Sequence, residues 1–347
     1  KKYFIPQILL LCLLITSCGE ANYEPQEYIS TNLNDERIEL SEEIFKKLKK
    51  EHYLKNFVNE DFNKEYIEAL IKRLDENKLY FLKPEIKEFY QKANAYDGRS
   101  FDIDLSYSII NLYFKRLILF SEFQISLIEN GSFNLQLDDY IDIYYEDNEW
   151  PQADENLKKL WRDETKNDFL VAMMSDTLSE DPKKGLIKRY KNRIRRIQQQ
   201  NEEDVFSIAV NSLANQFDPH SSYLSPRSAE DFDMNMSLKL EGIGALLGAE
   251  DDYTKIVSLV AGGPAEKSGA ILPEDRITRI RQVGSENNEY VDVVGWRIDE
   301  VVDLIRGESG TQVEIEFISS DSAENTRKLV TLVREEIKLE DLSLIHI

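Results

Sequence analysis

Hydrophobic residues recur at helical spacing from about residue 41 to Phe217. Ile67, Leu70 and Leu74, for example, lie three and four residues apart, which places them on one face of a helix. Proline and glycine residues separate such stretches at points where a lost amide donor or a freer backbone is tolerated. The pattern predicts an all-α N-terminal domain over residues 41–224.

The pattern changes after Phe217, where glycines become frequent and short β-type runs appear. Two helices are predicted among the strands, at residues 265–268 and 297–305. In residues 313–317 apolar side chains alternate with acids, which is typical of a strand with one face in solvent. The fold class is therefore multidomain, with the helical domain followed by an α+β domain over residues 225–337. The predicted strands are residues 237–240, 255–260, 276–280, 313–318 and 329–333.

The charge balance argues against a nucleic-acid partner. The 347 residues carry 65 acidic and 43 basic side chains, a net charge of −22, which repels phosphate backbones. Eight basic residues nevertheless fall within residues 183–196. Leu186, Tyr190 and Ile194 form an apolar stripe through this segment, which favours one amphipathic helix with its cations in solvent. Docking of these cations onto an acidic face of the same protein is left open.

Cysteine and histidine are too scarce for a metal centre. The two cysteines are Cys12 and Cys18, and the chain has three histidines, so no metal site and no cofactor is expected. Asp218, His220 and Ser221 have the residue types of a catalytic triad. Side chains this close in sequence seldom converge correctly, so no catalytic role is assigned to them.

The first residues have the order of an export signal, with Lys1 and Lys2 before an apolar run over residues 8–15. That run is too short to span a bilayer, which needs about 20 residues. Residues 14–18 resemble a bacterial lipobox, which implies that Cys18 receives a diacylglyceryl group. We therefore expect a signal peptide over residues 1–17, lipidation of Cys18 and a tether over residues 18–40. A plain secretory signal is the alternative.

A candidate binding site lies where Gly242 and Gly244 flank Ile243 at the head of a strand. Such a loop can point consecutive main-chain N–H groups into its concave side, where they can bind a carboxylate. An extended peptide could then add to the strand that begins at Ala245. A G-x-G pattern alone marks a bulge or tight turn more often than a ligand site. The predicted carboxylate-binding residues are Gly242, Ile243, Gly244 and Ala245, and the predicted pocket residues are Leu247, Val301, Val302 and Ile305.

The order of the surrounding motifs carries a family resemblance. The motifs are residues 217–224, 242–245, 261–269, 271–277 and 299–311. Together they resemble a PDZ domain of the circularly permuted bacterial type. More closely, they are similar to the C-terminal processing, or tail-specific, serine peptidases over residues 205–341. Glu274 departs from the family pattern, which commonly has glycine there, so a different local backbone is expected.

The resemblance implies an exported serine-type endopeptidase that binds the C-terminal tails of envelope proteins through a PDZ groove. Family members cut with a Ser nucleophile and a Lys base in a domain after the PDZ domain, and burial keeps that Lys neutral. The family's sequence motifs around this Ser and this Lys do not occur in the 347 residues, so no catalytic residue is assigned. Residues 338–347 are expected to be the truncated start of the peptidase domain.

The expected location is the bacterial cell envelope, on the periplasmic side, with the membrane contacted through the lipid anchor. Whether the helical domain recruits an adaptor protein is left open. Two other functions compete with the peptidase. One is a non-catalytic lipoprotein adaptor that binds polypeptide C-termini, and the other is a structural lipoprotein with a vestigial groove.

Overall fold

The structure is a computed structural model that describes a helical N-terminal region followed by a sheet-containing C-terminal part. The expected signal peptide, Cys18 and the first part of the tether lie outside the described residues, as do residues 339–347. The described residues are 28–338 except 29, 54–57, 98, 132, 134–147, 175–180, 238, 285–288 and 322–325.

Several helices of the described region begin at a residue whose side chain caps the helix. Asn34 accepts a hydrogen bond from the N–H of Arg37, and Asn201 and Asp204 form a reciprocal capping box. Across the described ranges, no helix combines the length and the hydrophobicity that spanning a bilayer requires. The helices are α1 Asp35–Glu51, α2 Phe62–Leu74, α3 Lys83–Ala95, α4 Ile103–Glu129, α5 Asp154–Met174, α6 Pro182–Gln198, α7 Glu202–Phe217, α8 Pro226–Ser237, α9 Pro264–Ser268 and α10 Ile298–Ile305.

The helical region is built around α4, which has 27 residues and contacts α2, α5, α6 and α7. Its Ile109 and Ile110 are fully buried, and burial of each such side chain stabilises the fold by about 1.5–3 kcal/mol. The buried stripe of α6 includes Leu186, Tyr190 and Ile194, which confirms the predicted amphipathic helix.

The strands form one larger sheet and one two-stranded pair. The larger sheet has the order β2-β3-β4-β6-β7, with β5 paired to β4, and its neighbours are antiparallel. β1 and β8 pair with each other, so they join the beginning and the end of this part. The strands are β1 Lys239–Gly242, β2 Ala245–Glu250, β3 Tyr253–Leu259, β4 Arg276–Val283, β5 Val291–Asp292, β6 Gln312–Ile318, β7 Arg327–Val333 and β8 Glu335–Lys338.

One predicted strand starts two residues too early. Residues 237–240 were expected to be extended, but Ser237 is the last residue of α8, and β1 begins at Lys239. None of the described side chains of α8 is buried, so the helix has no apolar stripe that periodicity could detect. Ion pairs hold it instead, and Arg227 of α8 contacts Asp299 and Asp303 of α10.

The solvated face predicted for residues 313–317 is wrong. Glu314 and Glu316 of β6 are only 5% and 8% exposed. Arg281 and Arg279, which lie directly opposite on β4, form ion pairs with them. The carboxylates are covered because cross-strand arginines neutralise them, and buried charges persist where they are paired.

The basic face of α6 docks onto the sheet-containing part. Lys188 lies 3.1 Å from Asp251, and Arg195 lies 2.9 Å from Asp252. Both aspartates are at the turn between β2 and β3. The acidic partner of these two cations is therefore in the same chain, which is the possibility that the sequence left open.

Candidate functional site

The loop between β1 and β2, residues 242–245, turns main-chain N–H groups outward; we call it the glycine loop. The carbonyl oxygen of Ile243 accepts a hydrogen bond from the N–H of Ala265 at 2.8 Å, and that of Gly244 accepts one from Val260 at 2.9 Å. Within a trans peptide the C=O and the following N–H point in opposite directions. The N–H groups of Gly244 and Ala245 therefore point away from α9 and β3. Among the described residues, the N–H groups of Ile243 and Gly244 have no hydrogen-bond acceptor.

Gly244 is required by both its conformation and its packing. Its φ of +74° lies in the left-handed region that favours glycine. A Cβ there would lie 3.0 Å from Cδ1 of Ile337 and 3.1 Å from Cα of Gly263. The side chain of Ile243 is 2% exposed and anchors the loop in the core of the sheet-containing part. The loop is therefore held in one conformation.

The strand that follows the loop has a free edge. β2 is the first strand of the larger sheet, and in the described part of the chain no strand pairs with its outer side. Gly244 bonds inward to Val260, and Glu250 pairs with Tyr253 on the other side of a register shift between Leu246 and Leu247. Main-chain groups alternate along an antiparallel strand, and both anchors give the same alternation along β2. The N–H and C=O groups of Ala245, Leu247 and Ala249 therefore face outward, available to a further strand.

α10 packs against β2 and β4 beside this free edge. We call the space between the outer edge of β2 and α10 the edge groove. Leu247 of β2 and Val302 of α10 are half-buried. Val301 and Ile305 are 0% and 4% exposed and lie in the core beneath it. Three of the predicted pocket residues, Leu247, Val301 and Ile305, therefore share one hydrophobic cluster, and Val302 lies half-buried on the same helix.

Arg334 fixes the end of α10 next to the glycine loop, a role that the sequence pattern does not indicate. Its side chain is buried and donates hydrogen bonds to the carbonyl oxygens of Ile305 at 2.8 Å and Leu304 at 2.9 Å. It also contacts Thr311 and Gln282. Burial lowers the pKa of this guanidinium. A single arginine in a β-type run gives no local signal of such a role.

A cation also lies at the loop end of the edge groove. A Cβ on Gly242 would lie 3.9 Å from Cα of Arg306, the residue that follows α10. The Arg306 guanidinium is 35% exposed and lies 2.6 Å from Asp231 of α8. This pair and those of Arg227 attach α8 along α10 through charge.

The N-terminal region matches a known protein family. A sequence model of the tail specific protease N-terminal domain matches residues 44–227, more than half of the chain. The chain belongs to the tail-specific protease family. The match spans the helices from within α1 to the beginning of α8.

Individual relatives agree with this family membership. This tail-specific protease chain is 35% identical over 298 residues to the tail-specific protease of Haemophilus influenzae, a match that covers 85% of this chain and 42% of the relative. The carboxy-terminal processing protease CtpA of Bacillus subtilis is 40% identical over 100 residues, covering 29% of this chain and 20% of that protein. The chain therefore spans less than half the length of these relatives.

A solved structure from another bacterium is also similar to this chain. It is the PDZ domain of the carboxy-terminal protease from Vibrio cholerae in complex with a peptide. Its sequence is 47% identical, the match covers 29% of this chain and all of that one, and the TM-score is 0.27.

The triad-like residues of this tail-specific protease chain do not form a catalytic arrangement. The side chain of His220 is 92% exposed, and its Nδ1 lies 3.2 Å from Oδ1 of Asp218. Asp218 accepts a hydrogen bond from the Tyr53 hydroxyl at 2.7 Å, which lowers the pKa of its carboxyl group. Within the described region, the His220 ring makes no hydrogen bond with Ser221 or Ser222. The same region contains no group of three or more His, Cys, Asp or Glu side chains arranged to hold a metal ion.

Proposed function

We propose that the sheet-containing part is a PDZ domain of the circularly permuted bacterial type that binds the C-terminal tails of polypeptides. The observation that carries the proposal is the outward direction of the Gly244 and Ala245 N–H groups next to the free edge of β2. These groups can bind a terminal carboxylate, while an extended tail pairs with β2. The permuted arrangement rests on the order of the sequence motifs, and the pairing of β1 with β8 brings the two ends of this part together.

The edge groove favours tails that end in apolar residues. Val302 and Leu247 offer partly exposed apolar surface beside the glycine loop, above the buried Val301 and Ile305. Burial of an apolar terminal side chain there contributes about 25 cal/mol per Å² of surface removed from water. Recognition thus combines a charge-dependent contact with the terminus and an apolar contact with the last side chain.

The proposal extends to the whole protein. Relatives named as tail-specific and carboxy-terminal processing proteases support a role for this chain in selecting substrates for a serine endopeptidase, with a Ser/Lys domain after residue 347. The substrates proposed are envelope proteins. The lipid anchor at Cys18 and a periplasmic position in the bacterial envelope are part of the same proposal and rest on the lipobox resemblance.

Tail binding is tested with a labelled ten-residue peptide that ends in apolar residues, as the free acid and as the C-terminal amide. Each charge-assisted hydrogen bond contributes roughly 1.5–3 kcal/mol, so we expect the amide to bind at least about tenfold more weakly. Fluorescence anisotropy with the full chain measures both affinities. Equal affinity of acid and amide would refute carboxylate recognition.

A pair of substitutions locates the site. Val302→Asp places a charge in the edge groove and should weaken binding about tenfold or more. Leu329→Asp is the matched control, because Leu329 is 54% exposed on β7, at the opposite edge of the sheet. Loss of binding in both variants, or in neither, would place the peptide elsewhere.

A further inference from the structure

A cavity of about 420 Å³ lies where α6 of the helical region faces the sheet-containing part. Its walls come from α6, from the turn between β2 and β3, and from the segment that leads into α10. We call it the hinge cavity. Among the residues that line it are Arg189, Arg195 and Arg196 of α6, Ala249 of β2, Trp296 and Ile298.

The hinge cavity lies at the far end of the edge groove. Ala249 is near the end of β2, four residues beyond Ala245, and Ile298 is the first residue of α10. The other end of α10 is beside Gly242 in the glycine loop. Since α10 spans the groove from one end to the other, a peptide that leaves the groove away from the loop enters the cavity.

Strand geometry fixes which part of a tail would arrive there. A tail with its carboxylate at the glycine loop runs antiparallel to β2, with its last residue opposite Ala245. At about 3.3 Å per residue, the fifth residue from the end lies roughly 13 Å away, opposite Ala249. The fifth to seventh residues counted back from the C-terminus therefore lie at the hinge cavity.

Two basic side chains that line the cavity form no ion pair with the carboxylates that line it. Its aspartates are already engaged, Asp251 by Lys188, Asp252 by Arg195, and Asp299 by two arginines. Arg189 and Arg196 are exposed and have no carboxylate within 4 Å in the described part of the chain. A positive surface thus remains on a protein whose net charge is −22.

The walls of the cavity are held together by hydrogen bonds. The N–H of Gly295 donates to the carbonyl oxygen of Asp252 at 2.6 Å, and Gln199 donates through Nε2 to the carbonyl oxygen of Gly295 at 3.1 Å. Arg297 donates to the carbonyl oxygen of Gln199 at 2.7 Å. These contacts position Trp296, which is 41% exposed. The cavity is therefore formed by both parts of the chain, and hydrogen bonds between them hold its walls in place.

We propose that the hinge cavity is a second subsite for the tail, at which Arg189 and Arg196 bind acidic side chains five to seven residues before the C-terminus. The proposal rests on the tail-binding function proposed above and adds to it a contribution of the helical region. The family's N-terminal domain would thereby take part in choosing the substrate. A tail with an apolar end and acidic residues upstream fits both ends of the site.

The test uses ten-residue peptides with the same four apolar C-terminal residues and with three Glu, three Ala or three Lys at the fifth to seventh positions from the end. With the full chain at 50 mM salt, we expect the Glu peptide to bind about three- to tenfold more tightly than the Lys peptide. The difference should shrink at 500 mM salt, because salt screens partly exposed pairs. The double variant Arg189→Glu/Arg196→Glu should reverse the preference.

The matched control is Lys184→Glu/Lys191→Glu, which makes the same change of charge at exposed positions of α6 that do not line the cavity. It should keep the preference for Glu. A control that loses the preference equally would overturn the subsite in favour of a long-range field. Equal binding of the Glu and Lys peptides would overturn the subsite while the tail-binding function stands. Failure of all three peptides to bind would refute both.

Discussion

The main-chain N–H of Ala265 donates a hydrogen bond to the carbonyl oxygen of Ile243 across 2.8 Å. Ala265 is in the first turn of α9, where helix N–H groups have no partner within the helix. The bond therefore satisfies a helix end and at the same time orients the next peptide N–H of the glycine loop outward. It explains why the motif at residues 261–269 accompanies the one at residues 242–245.

Gly244→Ala should disable the loop. The added methyl group would meet backbone and side-chain atoms at 3.0–3.1 Å, at a φ of +74°. We expect a loss of about 2–4 kcal/mol in the free energy of unfolding, measured in urea, and at least tenfold weaker peptide binding.

Gly262→Ala is the control for that change. Gly262 has the same φ of +74°, but no atom lies within 4 Å of the position of its Cβ. Gly262→Ala should lower the free energy of unfolding by only about 1 kcal/mol, because the left-handed φ strains alanine but no atom clashes with its Cβ. Equal losses in the two variants would show that the close approach of Gly244 to Gly263 is unimportant.

Glu274 has a φ of +72°, so it adopts the left-handed conformation that favours glycine. Its carboxylate lies 2.8 Å from Nζ of Lys255. Glu274→Ala and Glu274→Gly both remove this ion pair, and only the glycine variant relieves the backbone. We expect the glycine variant to be more stable than the alanine variant by about 1 kcal/mol in urea unfolding. Equal stabilities would contradict the strain.

Asp75 should make stability depend on pH. Burial raises the pKa of this carboxyl group to about 6, although N–H groups of Phe81, Leu79 and Tyr80 and the Trp150 indole oppose the shift. The folded protein holds the proton of Asp75 more tightly than the unfolded chain does. The stability that this protonation contributes is therefore fully present below about pH 4, and it is lost as the pH rises through 6.

The measurement is urea unfolding of the protein and of Asp75→Asn between pH 4.5 and pH 7. As the pH rises over this range, the unfolding free energy of the native protein should fall by about 2 kcal/mol relative to that of Asp75→Asn. Glu76→Gln, at the exposed neighbouring position, should leave the pH dependence intact. A pH-independent difference for Asp75→Asn would refute the assignment.

Arg334→Met should destabilise the end of α10. The substitution removes donors from two carbonyl oxygens of the helix and from Thr311 and Gln282. We expect a loss of about 2–4 kcal/mol, because buried polar groups are left without partners. Arg327→Met, at a side chain that is 59% exposed beside Glu316, should lose no more than about 1 kcal/mol. Similar losses for both arginines would argue against a special role for Arg334.

The parts of the site encoded by neighbouring residues were predictable from the sequence. Gly244 indicates a left-handed backbone conformation that glycine adopts easily, and the apolar stripe of residues 298–305 indicates the helix α10. Parts that depend on distant partners were not. Arg334 becomes a helix-end donor only because β7 and β8 bring it under Ile305. Glu314 is covered by distant partners, Arg281 on β4 and the Tyr290 hydroxyl among them.

The hinge cavity was beyond sequence reasoning for the same reason. The cations of α6 form a continuous polar face in the sequence, and nothing local distinguishes Lys188, which pairs with Asp251, from Arg189. Only the fold decides which of them meets the turn between β2 and β3.

The paired charges between β4 and β6 also guard against misassembly of the sheet. Arg279 opposes Glu316 and Arg281 opposes Glu314, so one alignment matches every charge. A slip by one residue would turn both carboxylates toward the isoleucines of the interior and move the arginines away from them. The same four side chains that stabilise the correct alignment thus make the nearest wrong one unstable, in addition to the apolar residues that the same slip would expose.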